Sequence, residues 1–190
     1  MIENQNTDNS SNNIQNSFKN KKNNKDRKNS PDKNNTKLLK IIADVLNQIC
    51  KENKTNKEDK LVVIKSFTVK TIPSITIYEF IERLSKYSKV SDETFILTLI
   101  YIDKICHFYK INLNYYNIHK IFLASFITSI KYHEDEMYSL KLYAKIGGVS
   151  HKEIIKLEYD FMKLIQFNLF VNEDLFNKYK INLIKFEEDY

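Results

Sequence analysis

The sequence predicts an all-α protein with one folded domain, in which a buried central helix is surrounded by amphipathic ones. Three observations point there. After residue 36, nearly every apolar pattern repeats at three- and four-residue spacing. The 190 residues contain only two glycines, side by side at Gly147 and Gly148, so sharp turns are few. One segment near residue 125 is apolar all the way round, as a helix in the middle of a bundle is.

The elements follow in order. Residues 1–35 hold twelve Asn and, apart from Met1, only Ile2, Ile14 and Phe18 as large apolar side chains, which reads as a disordered tail. Residues 36–66 read as an N-terminal helix and linker: Leu38, Ile41, Ile42, Val45, Leu46 and Ile49 predict a helix over 37–51. Leu61 to Ile64 suits a short strand with no partner strand. Residues 67–183 hold the remaining helices. Thr76-Ile-Tyr-Glu79 is a capping box that starts a helix running to Tyr87. Ser91, followed by Asp92 and Glu93, caps a helix to Phe108. Asn114 caps the central helix, Tyr115 to Tyr132. A short helix, Ser139 to Ile146, leads to the glycines, where Gly147 suits a left-handed helix end. Ser150-His-Lys-Glu153 is a second capping box and opens a helix to Phe167. A last helix follows Asn172.

Charge and composition exclude several classes. The net charge is +6, but residues 1–35 hold seven Lys/Arg against four acids, and the other 155 residues carry 23 bases against 20 acids. That balance offers no stripe for phosphates, and no specific nucleic-acid partner is expected. The longest charge-free apolar run, Ile121 to Ile130, is ten residues, against the ~20 needed to cross a bilayer. With no signal-like N-terminus, the chain reads as intracellular, in cytoplasm or nucleus, with no membrane partner. Cys50 and Cys106 stand apart with no metal-type spacing. The two adjacent glycines allow no dinucleotide or P-loop fingerprint. His133-Glu134-Asp135-Glu136 reads as a solvated acidic connector. No cofactor, metal or small-molecule substrate is expected, and the chain reads as a module that binds.

The helix from Ser150 carries the clearest functional sign. Ile154, Leu157, Phe161 and Leu164 form a core-facing stripe. Glu158, Met162 and Ile165, extended by Leu169, form a second stripe about 90° round if the helix continues that far. With Ile155 the apolar arc covers roughly half the circumference, beyond the ~100° that a surface helix needs. Another helix of this domain or a partner must cover the surplus. Lys131 ends the uncharged stretch of the central helix, and Glu158 sits among apolar residues. They read as an intramolecular ion pair or as two exposed ends.

Four ordered segments carry a resemblance: "IPSITIYEFIERLSKYSKVSD", "LIYIDKI", "NIHKIFLASFITSIKYHEDEMYS" and "YAKIGGVSHKEIIKLEYDFMKLIQFNLFV". Together they are similar to the P-type (Pho80-like) class of cyclins, from Ile72 to Tyr179. The resemblance implies a single five-helix cyclin box, with Arg83 at the P-type arginine and Asp103 at the second-helix aspartate. Many cyclins brace that aspartate with an early arginine, but its place falls near Ser74 here. The resemblance further implies a non-catalytic subunit that binds and allosterically activates a cyclin-dependent, Pho85-like kinase. Lys131 and Glu158 then match the family's kinase-binding pair, with Tyr132, Met162, Phe167 and Leu169 as apolar contacts. A cyclin-fold interaction module in transcription, without kinase activation, is the alternative. Ser30-Pro31-Asp32-Lys33 fits the S-P-x-K preference of such kinases and makes Ser30 a candidate phosphosite.

Overall fold

Helical spacing of apolar residues resolves into seven helices in the computed structural model, which describes residues 33–53 and 65–188. They are α1 (Lys33–Glu52), α2 (Ile77–Ser88), α3 (Asp92–Tyr109), α4 (Ile118–His133), α5 (Leu140–Gly147), α6 (His151–Leu164) and α7 (Glu173–Glu188). No strand occurs among the described residues. Leu61 to Ile64 and Ser30 lie outside them. Five helices, α2 to α6, occupy the span of the expected box, with α1 before it and α7 after it.

α4 is the axis. Ile118 and every residue from Ile121 to Ile130 are buried. α3 packs along one side, α6 along another, and α2 also touches it. The α3–α4 seam is close because small hydroxyl residues lie in it. Ser125 Oγ donates to the Thr98 carbonyl at 2.8 Å, and Thr98 Oγ1 donates to the Thr94 carbonyl at 2.8 Å. Ser129 Oγ donates to the Ser125 carbonyl at 3.0 Å, so these buried hydroxyls are satisfied. Phe122 and Phe126 continue the core toward Phe80 and Phe95, with ring centroids 6.4 and 5.1 Å apart in the two pairs. No described helix is long and apolar enough to cross a membrane.

The helix starts show which caps the sequence encodes. At α2 the capping box is complete: the Glu79 amide donates to Thr76 Oγ1 at 3.1 Å, and the Thr76 amide donates to Glu79 Oε2 at 2.9 Å. At α6 only half forms. The Glu153 amide donates to Ser150 Oγ at 3.1 Å, but the Glu153 carboxylate turns to Lys120 Nζ at 2.8 Å. α1 begins four residues before its expected start.

α4 begins later than expected, at Ile118 rather than Tyr115. Asn114 Oδ1 accepts from the Tyr116 amide at 2.9 Å, a local turn that delays the helix. Asn117 then takes the capping position, while its own side chain accepts from the Asn114 amide at 2.9 Å.

The left-handed role expected of Gly147 falls to its neighbour. The left-handed residue is Gly148, with φ +71, and Gly147 is the last residue of α5. Gly148 and Val149 donate backward to the carbonyls of Lys145 and Ala144, at 3.3 and 3.0 Å, which closes α5. Gly147 is glycine for a steric reason. A Cβ there would meet Leu123 Cδ2 at 2.5 Å, so a side chain at 147 requires the buried Leu123 to shift.

Candidate functional site

Lys131 and Glu158 come from different helices and meet. Lys131 lies in the last turn of α4, where the helix dipole favours a cation. Glu158 lies in the middle of α6, which packs against α4. Lys131 Nζ donates to Glu158 Oε1, closing an ion pair whose side chains are 39% and 19% exposed. Exposure at this level screens the pair, which contributes about 0–1 kcal/mol to folding. The pair therefore orders two charged groups at the surface more than it holds the domain together.

The apolar members of the predicted site divide. Tyr132 follows Lys131 and is 53% exposed. Met162 stands one turn beyond Glu158 and is half-buried against the core. Ile165, expected on the same stripe, is fully buried and belongs to the core. Ile165 stands four residues after Phe161 and about 20° round from Ile154, which is the core-facing stripe itself. α6 ends at Leu164, three residues earlier than expected. The Phe167 amide donates to the Met162 carbonyl at 3.0 Å and the Gln166 amide to that of Lys163 at 3.1 Å. Such a closing motif normally uses Gly or Asn at the left-handed place; here Gln166 takes it, with φ 54. Leu169 thus follows a turn, not a helix, and is half-buried against the core. Phe167 projects from that turn and is 66% exposed.

Tyr159 and Phe170, which the sequence reading passed over, are exposed nearby in sequence, beside Ile155, which it counted in the apolar arc. Tyr159 is exposed on α6 between Glu158 and Met162, with Lys163 Nζ 4.2 Å from its ring centroid. Ile155 is exposed one turn before it, and Phe170 is exposed just past Leu169. An exposed Tyr at three- and four-residue spacing from Ile155 and Met162 was the available signal.

Asp103, Arg83, Gly147 and Gly148 make contacts within the domain. Asp103 accepts from the Tyr179 hydroxyl at 2.5 Å, which ties α7 to α3. Burial, then this bond to a carboxylate, holds the Tyr179 pKa well above its ordinary value. The Arg83 guanidinium lies over the Phe80 ring, 5.5 Å from its centroid, and 3.8 Å from where a Gly148 Cβ would be. Arg83, Gly147 and Gly148 line one shallow cavity of about 230 Å³ with His119 and Lys120, away from Lys131.

Glu134 is not the solvated connector residue expected. It is half-buried, and its Oε1 accepts from the Ser91 amide, the Ser91 hydroxyl and the Thr94 hydroxyl. Burial alone would raise its pKa, but the bonds from Thr94 and Ser91 bring it below the ordinary 4.5.

The sequence model of the cyclin family matches residues 3–169, a span that takes in α1 to α6. "PHO85 cyclin-like protein psl1" of Schizosaccharomyces pombe is 32% identical over 154 residues, which cover 73% of this chain and 63% of that protein. "Cyclin-U4-1" of Arabidopsis thaliana is 30% identical over 149 residues, 75% of this chain and 72% of its own length. "PHO85 cyclin-7" of Saccharomyces cerevisiae is 30% identical over 158 residues, 77% of this chain and 54% of that protein. The chain thus spans between about half and three quarters of the relatives it matches. With a five-helix span, α2 to α6, built on a buried α4 and a family match over most of its length, the chain belongs to the cyclin family.

Proposed function

We propose that this cyclin is a non-catalytic regulatory subunit that binds a Pho85-like cyclin-dependent kinase and activates it allosterically. The observation that carries the reading is the Lys131–Glu158 pair set beside Tyr132, Met162 and Phe167, an exposed apolar surface with two ordered charges at its centre. The printed names of two relatives, a PHO85 cyclin-like protein and PHO85 cyclin-7, support a kinase of that kind as partner.

Such a surface suits a helix docked from another protein. Exposed aromatic and aliphatic side chains supply affinity by losing water, and the charges fix orientation through hydrogen bonds. Pressing on the kinase αC helix completes that enzyme's own Lys–Glu pair and orders its activation loop. The chain contributes no group to the phosphoryl transfer itself.

Pull-down and kinase assays with a Pho85-type kinase test this. Lys131→Ala and Glu158→Ala each lower affinity by about 2–5 kcal/mol, because each leaves the other charge unpaired under the partner. Unchanged binding and activation in both variants overturns the assignment.

A further inference from the structure

We propose that the turn after α6 is a pre-organised aromatic docking finger for the kinase partner, with Phe167 and Phe170 as its contacts and Tyr101 and Lys104 of α3 as the positioning residues that hold it. The proposal rests on the reading above and adds Phe170, Tyr101 and Lys104 to that surface.

Three independent features converge on this short segment. Phe167 is the most exposed large apolar residue among those described, and Phe170 follows it closely at 58%. Two such rings three residues apart on a tight turn lose water only when something covers them. Next, Gln166 and Phe167 are consecutive left-handed residues, with φ 54 and 57, and neither is glycine. A bulky residue at positive φ is strained and persists only where its surroundings enforce it.

The surroundings do enforce it, through the backbone. Lys104 Nζ donates to the Phe170 carbonyl at 2.8 Å and to the Asn168 carbonyl at 3.4 Å. The Tyr101 hydroxyl donates to the Leu169 carbonyl between them at 2.8 Å. Three successive carbonyls are thus taken by two side chains one turn apart on α3. From the other side, the Phe167 and Asn168 amides donate to the carbonyls of Met162 and Ile165, both at 3.0 Å. Lys104 spends its ammonium on neutral carbonyls, with no carboxylate in ion-pair distance among the described residues. Burial lowers its pKa, as expected for a cation used in this way.

The finger joins the face that holds Lys131 and Glu158. The Phe167 amide is hydrogen-bonded to the Met162 carbonyl of that face, and burial, with the Tyr132 phenol nearby, holds the Tyr101 pKa above its ordinary value. Fixing the aromatic rings before binding removes part of the ordering cost at the interface, the usual gain from pre-organisation. Aromatic anchors are also the side chains that most often dominate interface energetics.

The test uses the full chain with Lys104→Met, Lys104→Arg, Tyr101→Phe and Phe170→Ala. Hydrogen exchange of residues 165–171 in the free chain is measured beside affinity for a Pho85-type kinase. Lys104→Met and Tyr101→Phe are expected to speed exchange in 165–171, leave the amides of α4 unchanged, and weaken binding about 3- to 10-fold. Lys104→Arg restores both, and Phe170→Ala weakens binding with exchange unchanged. Wild-type exchange at 165–171 in Lys104→Met overturns the positioning role. Faster exchange with affinity within twofold of wild type overturns the docking role. If Lys131→Ala binds like wild type while Lys104→Met does not, the finger stands and the charged pair fails. A wild-type chain that binds no such kinase overturns the docking role together with the proposed function.

Discussion

Glu134 Oε1 accepts the Ser91 amide at 2.9 Å and the Ser91 hydroxyl at 2.7 Å, so the residue that leaves α4 closes the open N-terminus of α3. Ser91 holds the capping position of α3, yet its hydroxyl makes no cap bond to its own helix. The cap comes from 43 residues away. Glu134→Gln removes the charge from this cluster and is expected to cost about 1–3 kcal/mol at pH 7. The pH dependence has a fixed sign. The folded pKa lies below the ordinary 4.5, so the contribution is complete above 4.5 and is lost as pH falls through the folded value. Urea melts of the two proteins should differ at pH 7 and converge as pH falls below 4.5 through the folded value. A difference that persists or grows there contradicts this account.

Gly147 tests whether the corner between α5 and α6 is steric. Replacing it with Ala gains up to ~1 kcal/mol of helix propensity. Overpacking against the buried Leu123 costs about 1–3 kcal/mol, and the clash wins. Thermal melts should show a net loss for Gly147→Ala and a larger one for Gly147→Val. Adding Leu123→Ala should reduce the combined cost below the sum of the single changes.

Lys131 and Glu158 separate stability from binding. Removing Lys131 from the free chain should change unfolding by no more than about 1 kcal/mol, since the pair is partly exposed. Partner affinity should fall several times further. A double-mutant cycle by titration calorimetry checks this, and equal effects on folding and binding would count against it.

The Asp103–Tyr179 bond predicts how α7 is held. Tyr179→Phe keeps the ring and removes the donor, leaving a partly exposed carboxylate that water can serve. The expected cost is about 1–2 kcal/mol, seen as faster amide exchange in α7 before α2 to α6 respond. Uniform loss across all helices would show that α7 is not separable.

The fold was legible because its causes are local. The spacing of Ile41, Ile42 and Leu46, the Thr76–Glu79 box and the all-round burial of α4 each follow from a few neighbouring residues. The Lys131–Glu158 pair could be named because two lone charges stood in apolar patterns, and the family pattern joined them. What escaped depended on distant chain. Ser91 looks like an ordinary cap until Glu134 arrives from another helix end. No glycine or proline near Phe167 signals that α6 stops at Leu164, and part of what holds the following turn comes from Tyr101 and Lys104, far off in sequence. Gly147 differs from its expected role for the same reason, since the side chain that a Cβ there would press on belongs to Leu123.

The hydroxyls between α3 and α4 have a consequence beyond adhesion. Leucine or isoleucine would fill that seam with grease, which tolerates sliding. Ser125, reaching across to the Thr98 carbonyl, has an acceptor at one offset only. Shifting α3 by a single residue would misplace that acceptor and bring Leu97 or Leu99 to the level of Ser125. The seam therefore works as a vernier: it sets the longitudinal position of α3 on α4, and so the level at which Tyr101 and Lys104 meet the chain that leaves α6.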